Sequence, residues 1–171
     1  LVGSEMCIRD RYNDLLNLGR IFGVEEKANS LVDGYRLEIS KETKNLKSEN
    51  PLRVFVYDSG EDAPFTAGLY AMPTALIEAA GGTNIMDDFK KSWGTVTWEE
   101  VIDRNPEVIV IVNYGNVTAE QKREFMMSNP AFADLDAVKN DRFVTLEYVE
   151  ATPGPRNINA VKTLLKAFWG S

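Results

Sequence analysis

Glu99 sits in Thr97-Trp98-Glu99-Glu100-Val101-Ile102, ahead of Asn105-Pro106-Glu107 and the apolar run Val108-Ile109-Val110-Ile111-Val112. Thr97 and Glu100 have the spacing of a capping box, in which the N-cap hydroxyl and the N3 carboxylate each satisfy a free backbone amide at a helix start. That arrangement occupies Glu100. Glu99, at the second helical position, is expected to be exposed and well placed against the positive end of the helix dipole. Two readings fit its spacing: an acid held out for a cationic partner, or an ordinary first-turn acid.

Four further side chains fall where ligand chemistry is done. Phe65 and Trp93 are expected in loops, where a large exposed aromatic costs solubility unless something covers it, so each is either a ligand platform or a local plug. Tyr114 lies in Asn113-Tyr114-Gly115-Asn116, directly after the apolar run. Arg156 falls near the start of the last expected helix, where a cation opposes the dipole, so an anion should hold it. Either a ligand or a neighbour such as Glu150 would serve.

Reactive chemistry finds little support. The chain has no histidine, which argues against bare zinc or manganese bound through imidazoles. Asp58, Glu61 and Asp62 could approach calcium, but the alternation of an EF-hand loop is missing and a solvated acidic loop is preferred. There is no glycine-rich phosphate loop and no G-x-S-x-G elbow. We therefore expect no catalytic residue, no metal site and no cofactor. Asn116-Val117-Thr118 fits a glycosylation sequon, but Thr118 with Gln121 also spells a second capping box, and the cap is the preferred reading.

The elements that must position these residues alternate. Apolar spacing over residues 14–47 suits a short helix and a longer one, roughly 25–47, stopped by Asn50-Pro51. A strand follows at Leu52–Tyr57. A helix is expected over 69–80 with Pro73 in its first turn and Gly81-Gly82 as its stop. Then come helix Trp98–Arg104, strand 107–112, helix 119–127, strand 142–146 and helix Asn157–Trp169. Strands alternating with helices predict an α/β fold with a largely parallel sheet covered by helices. In such sheets ligands sit beyond the carboxyl ends of the strands, here the loops after Tyr57, Val112 and Leu146.

Composition sets the outer bounds. At 171 residues and 44% hydrophobic, the chain suits one folded domain. A net charge of −7 disfavours a nucleic-acid partner. No apolar run reaches the ~20 residues of a membrane helix. The opening residues 1–11 lack the basic start and apolar core of a secretory signal and follow neither helix nor strand period, so they are expected to be a foreign, adapter-derived tag of a fragmentary gene. Cys7, the single cysteine, falls inside that tag.

The Val96-Thr97-Trp98-Glu99 motif, Trp93 before it, the Pro64-Phe65-Thr66-Ala67-Gly68 segment, and Pro153-Gly154-Pro155-Arg156-Asn157 fall in one order. Together they resemble the carboxyl-terminal lobe of the substrate-binding proteins that feed bacterial ABC importers of iron-siderophores, haem and cobalamin. The resemblance covers roughly Tyr12 to the end. It implies a non-enzymatic receptor that takes a metal-chelate small molecule and hands it to a membrane permease, with Phe65, Trp93 and Arg156 at the ligand cleft and Glu99 docking into permease arginines. It also implies a long interlobe helix within residues 12–50, a ligand-binding lobe over 51–171, a missing amino-terminal lobe, and a place in the periplasm or anchored outside the cytoplasmic membrane. Two readings from other classes stand beside it: an intracellular α/β enzyme or chelatase-like domain acting on a tetrapyrrole, and a stand-alone interaction domain using the Glu99 face.

Overall fold

The computed structural model describes residues 8–43 and 50–170. Two helices come first, α1 (Ile8–Ile21) and α2 (Glu25–Thr43). The α/β part follows as β1 (Leu52–Tyr57), β2 (Phe65–Ala67), α3 (Met72–Ala79), β3 (Gly82–Asn84), β4 (Trp93–Thr95), α4 (Trp98–Arg104), β5 (Val108–Asn113), α5 (Ala119–Ser128), α6 (Asp136–Lys139), β6 (Phe143–Glu147), α7 (Tyr148–Ala151) and α8 (Asn157–Trp169). Four strands form one all-parallel sheet in the order β3-β1-β5-β6, and β2 pairs with β4 as a separate two-stranded antiparallel ribbon.

The sheet is parallel because its two central strands are apolar on both faces. Val54, Val56, Val108, Val110 and Val112 point into a core completed by Met72, Leu76 and Ile77 of α3 and by Ala160, Val161, Leu164, Leu165 and Phe168 of α8. On the other face Phe55, Tyr57, Ile109 and Ile111 meet Val101 of α4, Met126 of α5, and Phe132, Leu135 and Val138 beyond it. Strands buried on both sides read as continuous apolar runs, and each large aliphatic or aromatic side chain so buried contributes roughly 1.5–3 kcal/mol.

Several boundaries differ from those expected, for local reasons. Helix α3 starts at Met72 because the amides of Leu69 and Tyr70 bond the carbonyls of Phe89 and Lys91 instead of entering the helix. Helix α1 begins at Ile8, so Ile8–Arg11 has helical backbone; a helix once nucleated extends through any stretch that lacks proline and glycine. Residues 1–7, most of the expected tag, lie outside the described residues, as do 44–47 at the end of the longer expected helix. Helix α2 packs on α1 and α8, with Lys162 and Glu38 paired across the latter contact.

The two ends of the sheet differ. At the amino ends of β1 and β5, Arg53 Nε donates to the Asn105 carbonyl at 2.9 Å, while Asn105 and Asp136 exchange hydrogen bonds of 2.9 and 3.0 Å. The carboxyl ends open into the segments that carry the candidate site.

Candidate functional site

The ribbon β2–β4 lies over the exit of β1. Thr66, fully buried, donates its hydroxyl to the Val56 carbonyl at 2.6 Å, and Phe65 is tied through its own carbonyl and amide to Asp58 and Ser59. In the ladder Phe65 faces Thr95 and Ala67 faces Trp93, so Phe65 and Trp93 are diagonal neighbours on one face. Their rings lie nearly parallel, 9° apart with centroids separated by 6.0 Å, and Phe65 stays 37% exposed. Residues 58–68 and 90–94, expected as loops, thus each hold a short strand.

The ribbon can sit this close because glycine occupies two positions. A Cβ on Gly68 would come within 2.5 Å of the carbonyl oxygens of Phe89 and Lys91, and one on Gly94 within 2.7 Å of the Phe89 ring. Asn84 anchors the ribbon from the end of β3. Its buried amide donates to the Ala67 carbonyl and to the Thr74 hydroxyl, both at 2.8 Å, and Thr74 in turn donates to the Gly68 carbonyl at 2.7 Å.

A second aromatic pair stands at the exits of β5 and β6. The rings of Tyr114 and Tyr148 stack at 4.6 Å and 26°, with 53% and 48% of their surface exposed. Asn113 and Glu147, paired in the sheet register, lie next to them and are joined by bonds of 3.0 and 3.1 Å from the Asn113 amide to both carboxylate oxygens. Tyr148 is not among the residues singled out from the sequence. The three exits follow neighbouring strands, so Phe65, Tyr114 and Tyr148 occupy one end of the sheet. Among the described residues no ring contact links the two pairs.

Arg156 occupies the N-cap position of α8 and is exposed. The loop before it is folded by Asn157, whose amide donates to the carbonyls of Glu150 and Thr152, both at 2.8 Å, and accepts from the Gly154 amide at 2.9 Å. Glu150 is not the anion that holds Arg156: its carboxylate accepts from the Glu147 amide at 3.1 Å, and among the described residues Arg156 has no ion pair.

Glu99 is exposed in the first turn of α4, as expected, and Glu100 is the cap: the Thr97 amide donates to its carboxylate at 3.1 Å, and the Glu100 amide to the Thr97 hydroxyl at 3.2 Å. Trp98 locks the helix start to the β1 exit. Its indole N–H donates to the Glu61 carbonyl at 2.6 Å, and its ring packs 4.6 Å from Phe132 and 5.4 Å from Tyr57. Thr118 and Gln121 form the second capping box. An enzyme reading calls for a loop acid with a raised pKa; the carboxyl that burial pushes up is Glu78, on α3.

The fold recurs in known proteins. A periplasmic binding protein from Veillonella parvula DSM 2008 superposes with a TM-score of 0.88 at 34% identity, over 96% of this chain and 57% of that one. A protein of an ABC-type Fe3+-hydroxamate transport system from Saccharomonospora viridis shares the fold at 22% identity and a TM-score of 0.83, over 97% of this chain and 57% of the other. The vitamin B12-binding protein of Yersinia pestis (strain Pestoides F) is 26% identical over 99 residues, 58% of this chain and 35% of that protein. The chain therefore spans about a third of that curated relative and somewhat over half of the solved ones. The profile of the family described as periplasmic binding protein matches residues 2–150. The chain belongs to the periplasmic binding protein family.

Proposed function

We propose that this chain is the carboxyl-terminal lobe of a substrate-binding protein of an ABC importer, receiving an iron-siderophore, haem or cobalamin outside the cytoplasmic membrane and passing it to the permease. The observation that carries the reading is the presence of two partly exposed aromatic stacks, Phe65–Trp93 and Tyr114–Tyr148, with an arginine that has no ion pair among the described residues, at the carboxyl end of a parallel sheet in a chain of this family. Flat, partly apolar chelates suit such stacks, and the free guanidinium of Arg156 suits their carboxylate or other anionic groups. The role is binding without catalysis. Residues 51–171 form the lobe, and residues 12–50 carry the helix that bridges to an amino-terminal lobe.

Glu99 is the contact to the permease. Its free carboxylate at the start of α4 meets arginines there. Such an exposed pair is worth roughly 0–1 kcal/mol, so its part is register and orientation.

Calorimetric titration of the chain with a ferric trihydroxamate, haemin and cyanocobalamin tests the ligand reading. One of the three binds, and Trp93→Ala, Tyr114→Ala and Arg156→Gln each weaken that binding. Absence of binding by all three, or binding that none of these substitutions alters, overturns it.

A further inference from the structure

Lys122 is in a place where a lysine is costly. The Thr118–Gln121 capping box fixes the register of α5, so Lys122 falls in its first turns, where a cation opposes the helix dipole. It is also only 2% exposed, and burial against neutral groups disfavours an ammonium. That burial pushes its pKa down, with the charge of Asp58 opposing the shift. A side chain such as methionine would fill the same space at no electrostatic cost.

What the ammonium does there is specific. Nζ donates to the Val112 carbonyl at 2.7 Å and to the Tyr114 carbonyl at 3.1 Å, the two carbonyls that flank Asn113 as the chain leaves β5. The backbone turns away immediately afterwards, with Gly115 at φ 81°. Tyr114 is thus gripped through its backbone while its ring, more than half exposed, stacks on Tyr148. Between them, Lys122 and the Asn113–Glu147 bonds tie down the exits of both strands that carry the stack.

We propose that Lys122 is a positioning residue that holds Tyr114 against Tyr148 as a preformed platform for a flat ligand face. The ligand half of this proposal rests on the binding function proposed above; the structural half does not. Without the clamp the 112–115 backbone relaxes, the two rings separate, and a ligand has to order both side chains as it binds. Ordering two such side chains corresponds to about a tenfold loss of affinity.

The test uses the full chain with its tyrosine rings isotopically labelled. In Lys122→Met, ring-current shifts of Tyr114 and Tyr148 collapse towards free-tyrosine values without any ligand, whereas they persist in Met126→Ala, a buried substitution on the same helix. Haemin affinity falls about tenfold in Lys122→Met, and Lys122→Met adds nothing further to Tyr114→Ala. If Lys122→Met fails to fold, Lys122→Gln is read in the same way. Unchanged ring shifts in the folded variant overturn the positioning role. Collapsed shifts with unchanged haemin affinity, or additive effects in the double variant, overturn its link to ligand binding. Collapsed shifts in a chain that binds none of haemin, cyanocobalamin or a ferric trihydroxamate support the positioning role and sink the proposed function instead.

Discussion

Replacing Asn84 by alanine should show how the Phe65–Trp93 stack is held. The Asn84 amide makes three hydrogen bonds: two donated, to the Ala67 carbonyl and the Thr74 hydroxyl, and one accepted from the Met86 amide at 3.1 Å. The side chain is fully buried, so water cannot replace them. At ~1 kcal/mol for each bond, the loss is about 3 kcal/mol. For a chain of this length that is a fall in Tm of roughly 6–12 °C. Asn84→Asp keeps the shape and the acceptor for Met86 but turns an anion towards two oxygens, so it should be at least as damaging. The assay is urea unfolding followed by circular dichroism, with tryptophan emission as a second signal, because loosening Ala67 loosens its ladder partner Trp93. A loss below ~1 kcal/mol in Asn84→Ala, or an Asn84→Asp variant as stable as the parent, would refute the reasoning.

Other outcomes follow from the same geometry. Thr97→Ala should lower stability by ~1 kcal/mol through loss of the α4 cap, while Glu99→Ala changes it by only tenths and instead weakens uptake or binding by the cognate permease; uptake that survives Glu99→Ala removes the docking role. Gly68→Ala should cost ~2 kcal/mol or more in chemical unfolding, since its Cβ meets two carbonyl oxygens that cannot yield without opening the β2–β4 ribbon. Tyr57, buried with its hydroxyl 3.3 Å from the Gly60 carbonyl, has its pKa pushed up to about 12 from 10.0, mainly by burial and then by Glu61 and Asp58. Because the folded value lies above the unfolded one, roughly 3 kcal/mol of stability is present below pH 10 and is lost between pH 10 and 12. Absorbance at 295 nm should therefore show part of the tyrosine signal still un-ionised at pH 11 while circular dichroism remains native; complete tyrosine ionisation with native circular dichroism at pH 11 would contradict this.

What the sequence made legible is what short-range chemistry encodes. The spacing of Thr97 and Glu100 specifies a cap, and the structure contains both of its bonds. The unbroken valines and isoleucines of β5 announce a strand buried on both faces, and α8 spans Asn157–Trp169 as its apolar spacing predicts. The β2–β4 ribbon is hidden because three residues are too few to show a period, and its strands depend on their own distant pairing, on bonds from Thr66 and Asn84 and on the space left by Gly68 and Gly94. Lys122 reads as a solvated helix residue until the β5 exit is brought to it. Tyr148 carries no local signal of its own, because its partner Tyr114 follows a different strand; the interval from Glu147 to Glu150, bonded as at a helix start, is the local sign of α7.

The strand order also governs how the chain must come together. β1 lies inside the sheet, yet both of its neighbours, β3 and β5, come later in the chain, and β6 can be added only after β5. Until then Val54-Phe55-Val56-Tyr57 has two open edges and two greasy faces. Parallel pairings between distant segments close slowly, and a half-made sheet of this kind is prone to stick to its neighbours. A ribosome-bound copy therefore spends its most vulnerable interval with its future central strand uncovered, and the last strand to join, β6, is the one that brings Tyr148 to the site.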